Sequence, residues 1–110
     1  MKSPLGILGI VATLLITGPA HALEFSVNSI EEAEGFALAT VKFINDDAPE
    51  GYRVIAFNCT WLKNGFGVVH AADSIIDLQF QDTSFVEVRA RLRGKKFDNA
   101  VCHVSTAIKN

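Results

Sequence analysis

Apolar and polar residues alternate with period two along most of the chain after residue 22, and this pattern limits the fold more than any other sequence feature. Side chains that alternate in this way project to opposite faces of a β-strand. The clearest case is a stretch in which every second residue is apolar: Val86, Glu87, Val88, Arg89, Ala90, Arg91, Leu92 and Arg93. No segment after residue 22 keeps a period of 3.6 residues, so the sequence predicts an all-β fold.

The alternating segments are short, and residues typical of turns separate them. We predict strands at residues 23–27, 37–43, 52–62, 66–72, 85–93 and 97–108. Residues 31–35 form an acidic turn with room for one helical turn, residues 45–51 form a loop, and residues 75–80 form a less regular apolar stretch. Asn64-Gly65 is a strong hairpin signal, because a type I′ turn needs two residues at positive φ. About six or seven such strands predict a small antiparallel β-sandwich.

Residues 1–22 differ in composition from the rest of the chain. Lys2 gives a positive start, an apolar run covers residues 5–17, and small residues stand at the end, in Ala20-His21-Ala22. This is the layout of a secretory signal peptide, with cleavage expected before Leu23. The apolar run is shorter than the roughly 20 residues that cross a bilayer. We therefore predict a cleaved leader at residues 1–22 and a periplasmic or secreted domain at residues 23–110, with no membrane span after cleavage.

The chain contains two cysteines, Cys59 and Cys102, which lie 43 positions apart. In the oxidising compartment that export implies, we expect them to form a disulfide with each other. Closing a loop of this size is worth about 4 kcal/mol in the chain-entropy model. The bridge would join either the two layers of the sandwich or two neighbouring strands.

The formal net charge is −2, which excludes nucleic-acid binding through bulk positive charge. Three arginines nevertheless alternate on one predicted strand, so that their guanidinium groups lie about 7 Å apart on one face. The predicted basic row consists of Arg89, Arg91, Arg93, Lys95 and Lys96. Such a row suits lipid head groups, an acidic polysaccharide or an acidic protein. The alternative is a solvated face, or an edge strand protected by like charges from aggregation.

Residues suited to catalysis or to metal binding are sparse. No serine lies in a Gly-x-Ser-x-Gly context, and both cysteines are assigned to a disulfide, so we predict no enzyme. His70, His103 and Asp73 could bind a metal only if their strands pair, and we predict neither a metal nor a cofactor. Trp61 could form a sugar-binding platform with Tyr52, but it shares a strand face with the disulfide and is expected in the core.

Four segments carry a family resemblance: residues 41–45 (VKFIN), 54–65 (VIAFNCTWLKNG), 75–78 (IIDL) and 85–88 (FVEV). They resemble the FxLyD-like group, which consists of immunoglobulin-like β-sandwich domains of exported bacterial proteins. The resemblance also extends to the second cysteine, Cys102, near the end of the chain. It implies an immunoglobulin-like sandwich that has no catalytic residues and a binding or structural accessory role.

These features together predict an exported, non-catalytic accessory protein of the periplasm or cell envelope. Its partner would be a protein or an anionic envelope component, which it engages through the basic row. The alternative hypothesis is an inhibitor or immunity-type protein that blocks a partner enzyme with the acidic loop at residues 45–51.

Overall fold

The computed structural model describes residues 23–110, and the predicted leader at residues 1–22 lies outside the described residues. Every regular element from residue 23 onward is a β-strand, which confirms the predicted all-β class. The six strands are β1 (Glu24–Ala33), β2 (Phe36–Ile44), β3 (Tyr52–Lys63), β4 (Phe66–Leu78), β5 (Thr83–Arg91) and β6 (Asn99–Lys109). Within this part of the chain, no helix is long and apolar enough to cross a membrane.

The strands form two three-stranded antiparallel sheets. The first sheet has the order β1-β2-β5, and the second has the order β4-β3-β6. The two layers face each other so that β5 lies near β4 and β1 lies near β6. This order corresponds to strands A, B and E of an immunoglobulin-like sandwich in one layer and C′, C and F in the other. The predicted sandwich is therefore confirmed.

The inward-facing residues of both sheets form one apolar core. Its largest fully buried side chains are Trp61, Phe25, Phe43, Phe57, Ile55 and Val41. The ring of Phe43 stacks on Phe25 at 5.6 Å and meets the edge of Phe57 at 5.1 Å, which joins the two layers. Trp61 adds a polar link, since its Nε1 donates a hydrogen bond to the carbonyl oxygen of Leu38 in the opposite sheet at 3.4 Å.

The predicted disulfide joins Cys59 to Cys102. The two residues lie directly opposite each other on β3 and β6, with their Cα atoms 4.0 Å apart, and both are fully buried. The bridge therefore links neighbouring strands of the second sheet rather than the two layers. Trp61 projects from the same face of β3 and is buried in the core, as predicted.

Several strand boundaries differ from the sequence prediction, and three of these differences have a clear cause in the structure. β1 continues to Ala33, because the acidic segment pairs with the start of β2, and only the two residues Glu34-Gly35 form the turn. The predicted helical turn is absent there, since both turn residues have positive φ. β4 runs on to Leu78, because the first half of β3 pairs with it throughout. β5 ends at Arg91, since Arg93 has a positive φ of 53° and turns the chain.

Candidate functional site

Two of the predicted binding residues lie on the outer face of the first sheet, beside an aromatic ring. Arg91 on β5 pairs directly with Phe36 on β2, and its guanidinium carbon lies 5.2 Å from the centre of the ring. Arg89, two residues earlier on the same face, lies 5.3 Å from the same ring. Cation–π attraction to Phe36 therefore restrains both guanidinium groups on the sheet surface.

A second aromatic ring lies farther along this face. Phe85 is 57% exposed, and the Nζ of Lys42 lies 5.9 Å from the centre of its ring. Between the two rings, Glu87 approaches Arg89 at 3.6 Å, so this face carries both signs of charge. We call the five residues that share these ring contacts the basic–aromatic face: Phe36, Lys42, Phe85, Arg89 and Arg91.

Two further residues of the predicted basic row, Arg93 and Lys95, lie beyond the end of β5 and border a groove. This side groove has a volume of about 310 Å³ and opens between β4 and β5, at the edge of the sandwich. Apolar residues from both strands and the following turn line it: Val68, Val69, Ala90 and Leu92. Its positively charged lining comes from Arg91, Arg93 and Lys95, and His70 contributes a further imidazole.

Positive charge at this groove has no carboxylate partner. Within residues 23–110, the two ion pairs are Lys63 with Asp98 and Arg89 with Glu87, and neither involves a cation of the groove. The Nζ of Lys95 donates a hydrogen bond to the carbonyl oxygen of Val68 at 3.4 Å. Arg91, Arg93 and Lys95 therefore give the lining of the groove a positive charge.

The structure brings most of the predicted basic row together, but in two orientations. We call Arg89, Arg91, Arg93 and Lys95 the basic corner, in which Arg91 belongs both to the ring contact and to the groove. Lys96 is exposed but lines neither feature. The straight row expected from strand spacing does not form, because the strand ends at Arg91.

The acidic loop at residues 45–51 packs against the domain. Asn45 is fully buried, and its Nδ2 donates to the carbonyl oxygens of Ala48 and Leu78 at 3.1 and 3.3 Å. Its Oδ1 accepts hydrogen bonds from the backbone N–H groups of Asp47 and Ala48. The backbone N–H of Gly51 closes the loop onto Ala48 at 2.9 Å. These hydrogen bonds anchor the loop to the domain.

Tyr52 lies beneath this loop and is only 4% exposed. Its hydroxyl donates to the carboxylate of Asp47, at 3.0 Å from the nearer oxygen. Burial, and after it the hydrogen bond and negative charge of Asp47, raise the pKa of Tyr52 to about 12. Tyr52 and Trp61 are both buried, so these two residues do not form the exposed pair of rings that a sugar-binding platform requires.

The histidines that were considered as metal ligands lie on different strands. His70 on β4 pairs with Thr60, and His103 on β6 pairs with Asn58, so that β3 lies between them and their Cα atoms are about 12 Å apart. Asp73 lies opposite Phe57, on the other face of β4 from His70. The described residues contain no group of three potential ligands close enough to hold a metal ion.

Sequence reasoning missed two parts of this surface, namely the ring of Phe36 and the side groove. Phe36 stands at an outward position of the alternation that continues through β2, and this is the signal that could have placed its half-buried ring on the outer face. Nothing in the sequence indicates the groove, because it depends on which strand edges come together.

Comparisons with known proteins give information on the fold of this chain and on no other property. No family model and no curated protein matches the chain, so membership of the FxLyD-like group is not confirmed. Among solved structures, the chain is similar to the crystal structure of a DUF1425 family member from Shewanella sp. pv-4. The TM-score is 0.60 at 18% sequence identity, and the match covers 86% of this chain and 89% of that one. The two proteins therefore share a small β-rich fold.

Proposed function

We propose that this chain is an exported, non-catalytic binding protein of the periplasm or cell envelope, and that it engages an anionic partner through the basic corner. One observation carries the proposal. Arg91, Arg93 and Lys95 line a groove together with apolar side chains, and these three cations have no carboxylate partner within the described residues. Unpaired cations beside an apolar surface gain most from a ligand that brings its own negative charge.

The size and shape of the groove indicate the kind of partner. A volume of about 310 Å³ lies at the lower end of the range for small-molecule pockets, and this groove is open rather than enclosed. It fits an anionic group that a larger partner presents. Arginine binds carboxylate and phosphate groups through two parallel hydrogen bonds, so a partner protein or envelope polymer bearing either group is suited to this corner.

The proposed compartment is supported by the covalent chemistry of the domain. The Cys59–Cys102 bridge closes between two fully buried residues, and such bonds persist in oxidising compartments. The leader-like composition of residues 1–22 agrees with export. The resemblance of the strand segments to the FxLyD-like group also suits an accessory domain of an exported bacterial protein.

The packing of the acidic loop gives less support to the inhibitor hypothesis than the basic corner gives to the binding hypothesis. An inhibitory loop must enter the active site of its target, whereas Asn45 and Ala48 are fully buried in the domain. The exposed side chains of the loop are Asp46, Pro49 and Glu50. We therefore place the binding function at the basic corner.

Capture from an envelope extract of the source organism tests the proposal. Immobilised protein should retain a partner whose bound fraction falls steeply with added salt and with Arg91→Glu. Arg53→Glu is the matched control, because it makes the same charge change at an exposed position at the start of β3. Capture that withstands both salt and Arg91→Glu, or that Arg53→Glu weakens equally, would show that the basic corner is not the binding surface.

A further inference from the structure

The outer face of the second sheet carries no Lys, Arg, Asp or Glu over four successive rows of paired residues. The rows run across β4, β3 and β6: His70, Thr60 and Val101; Ala72, Asn58 and His103; Ser74, Ala56 and Thr106; Ile76, Val54 and Ile108. These residues point away from the core, since the intervening β3 residues Cys59, Phe57 and Ile55 are buried. Ile76 is 68% exposed and Ile108 is 40% exposed. We call these rows the uncharged face.

The first sheet has the opposite character on its outer face. Six charged side chains occupy outward positions there: Glu24, Glu31, Lys42, Glu87, Arg89 and Arg91. Charged residues make up 20% of the chain, so a low charge content does not explain the uncharged face. A solvent-exposed sheet face ordinarily carries charges, and a neutral face with an exposed apolar row marks an interaction surface.

We propose that the uncharged face packs against the same face of a second copy of this chain, forming a two-fold symmetric dimer. A two-fold axis brings identical patches together, so any charge on the patch tends to meet a like charge. A face without charges avoids this repulsion. This proposal goes beyond the proposed binding function, because the four rows lie on β3, β4 and β6 and share only His70 with the side groove.

Other occupants fit the face less well. A membrane surface is bound by faces that combine cations with aromatic anchors, and the four rows contain neither Lys, Arg nor any aromatic ring apart from two imidazoles. A different protein partner is usually selected by complementary charge, which this face lacks. Hydroxyl and amide side chains at Thr60, Asn58 and Ser74 are instead suited to hydrogen bonds with their symmetry mates.

The dimensions of the uncharged face indicate how tightly two copies should associate. Residues 54–60 span about 24 Å along the strand, and three strands span about 14 Å. This footprint is only about 340 Å² per copy, well below the roughly 800 Å² per partner of a standard interface, so weak association in the upper micromolar range is expected. The association must therefore be measured at high protein concentration.

The test introduces like charges at the centre of the face. Ser74→Lys and Thr106→Lys flank Ala56 in one row, so the double variant would place four added cations in the dimer interface. The control, Ser29→Lys with Thr83→Lys, adds the same charge at exposed positions on the edge strands of the first sheet. Sedimentation velocity of the processed protein, from about 10 µM to about 1 mM, measures the association.

We expect the wild type and the control to become dimeric as concentration rises, and the Ser74→Lys/Thr106→Lys variant to associate at least about ten-fold more weakly. Ile76→Lys provides a second variant whose exposed position removes any concern about folding. A wild type that stays monomeric to about 1 mM overturns the proposal, as does a dimer that both variants leave intact. Binding of monomers to neutral phosphatidylcholine vesicles through this face would assign it to lipid and also overturn the proposal.

Discussion

Arg91 and Phe36 lie directly opposite each other on adjacent strands, with the guanidinium carbon 5.2 Å from the centre of the ring. Arg89 approaches the same ring at 5.3 Å, so one aromatic side chain restrains two cations. A restrained guanidinium loses less conformational entropy on binding than a free one. The ring is therefore expected to raise the affinity of the basic corner without itself contacting the partner.

Replacement of this ring tests that role. Phe36→Leu should weaken binding of the captured partner by about two- to five-fold, which corresponds to the loss of about 0.5–1 kcal/mol. The melting temperature should change little, since Phe36 lies outside the core. Phe66→Leu is the control, because that ring is 76% exposed at the tip of another hairpin. Equal affinities for the wild type and Phe36→Leu would contradict the assigned role.

Loss of the disulfide should destabilise the domain substantially. We expect Cys59→Ala combined with Cys102→Ala to lower the free energy of unfolding by about 4 kcal/mol, because the unfolded chain regains the entropy of a loop of 43 residues. Denaturant unfolding with and without reductant measures the effect. Reductant should destabilise the wild type by a similar amount and leave the double variant unchanged. A double variant as stable as the oxidised wild type would contradict the prediction.

The buried amide of Asn45 should be the most sensitive polar group of the loop. Asn45→Ala leaves the carbonyl oxygens of Ala48 and Leu78 without their Nδ2 donor, and it removes the acceptor for two backbone N–H groups. We expect a loss of about 2–4 kcal/mol in unfolding free energy. The neighbouring exposed residue gives the control, since Asp46→Ala should change stability by no more than about 0.5 kcal/mol. Similar values for both variants would argue against this network.

The raised pKa of Tyr52 predicts that the domain loses stability at alkaline pH. Its pKa is about 12 in the folded domain against 10.0 for an unperturbed tyrosine. The neutral hydroxyl therefore makes its full contribution to the free energy of unfolding below pH 10.0. This contribution is lost as the pH rises toward about 12. Tyr52 is the single tyrosine of the chain, so tyrosinate absorbance reports its ionisation directly.

The matching variant is Tyr52→Phe, which removes the titrating group and keeps the ring. Its stability should depend less steeply on pH in this alkaline range than that of the wild type. A tyrosinate transition near pH 10 in the folded protein, or identical pH profiles for the two proteins, would contradict the pKa that the structure indicates.

Local sequence patterns determined the elements of this protein and the directions of its side chains. Period-two alternation placed Val88 and Ala90 inward and Arg89 and Arg91 outward, as the structure shows. Asn64-Gly65 determined a tight hairpin, and both residues have the positive φ that this turn requires. Only one intramolecular pairing is possible for two cysteines. Each of these conclusions depends on residues that are close in sequence or on simple counting.

Only the tertiary structure decided which strands are neighbours and in what register. Phe36 meets Arg91 because β5 pairs with β2, and the uncharged face exists because β4 and β6 flank β3. Likewise, because Glu32 pairs with Ala37, most of the segment that was predicted as an acidic turn belongs to β1. Alternation tells which face a side chain occupies but not which strand lies beside it. That choice depends on how two complete sheets pack over one shared core, and no local pattern contains this information.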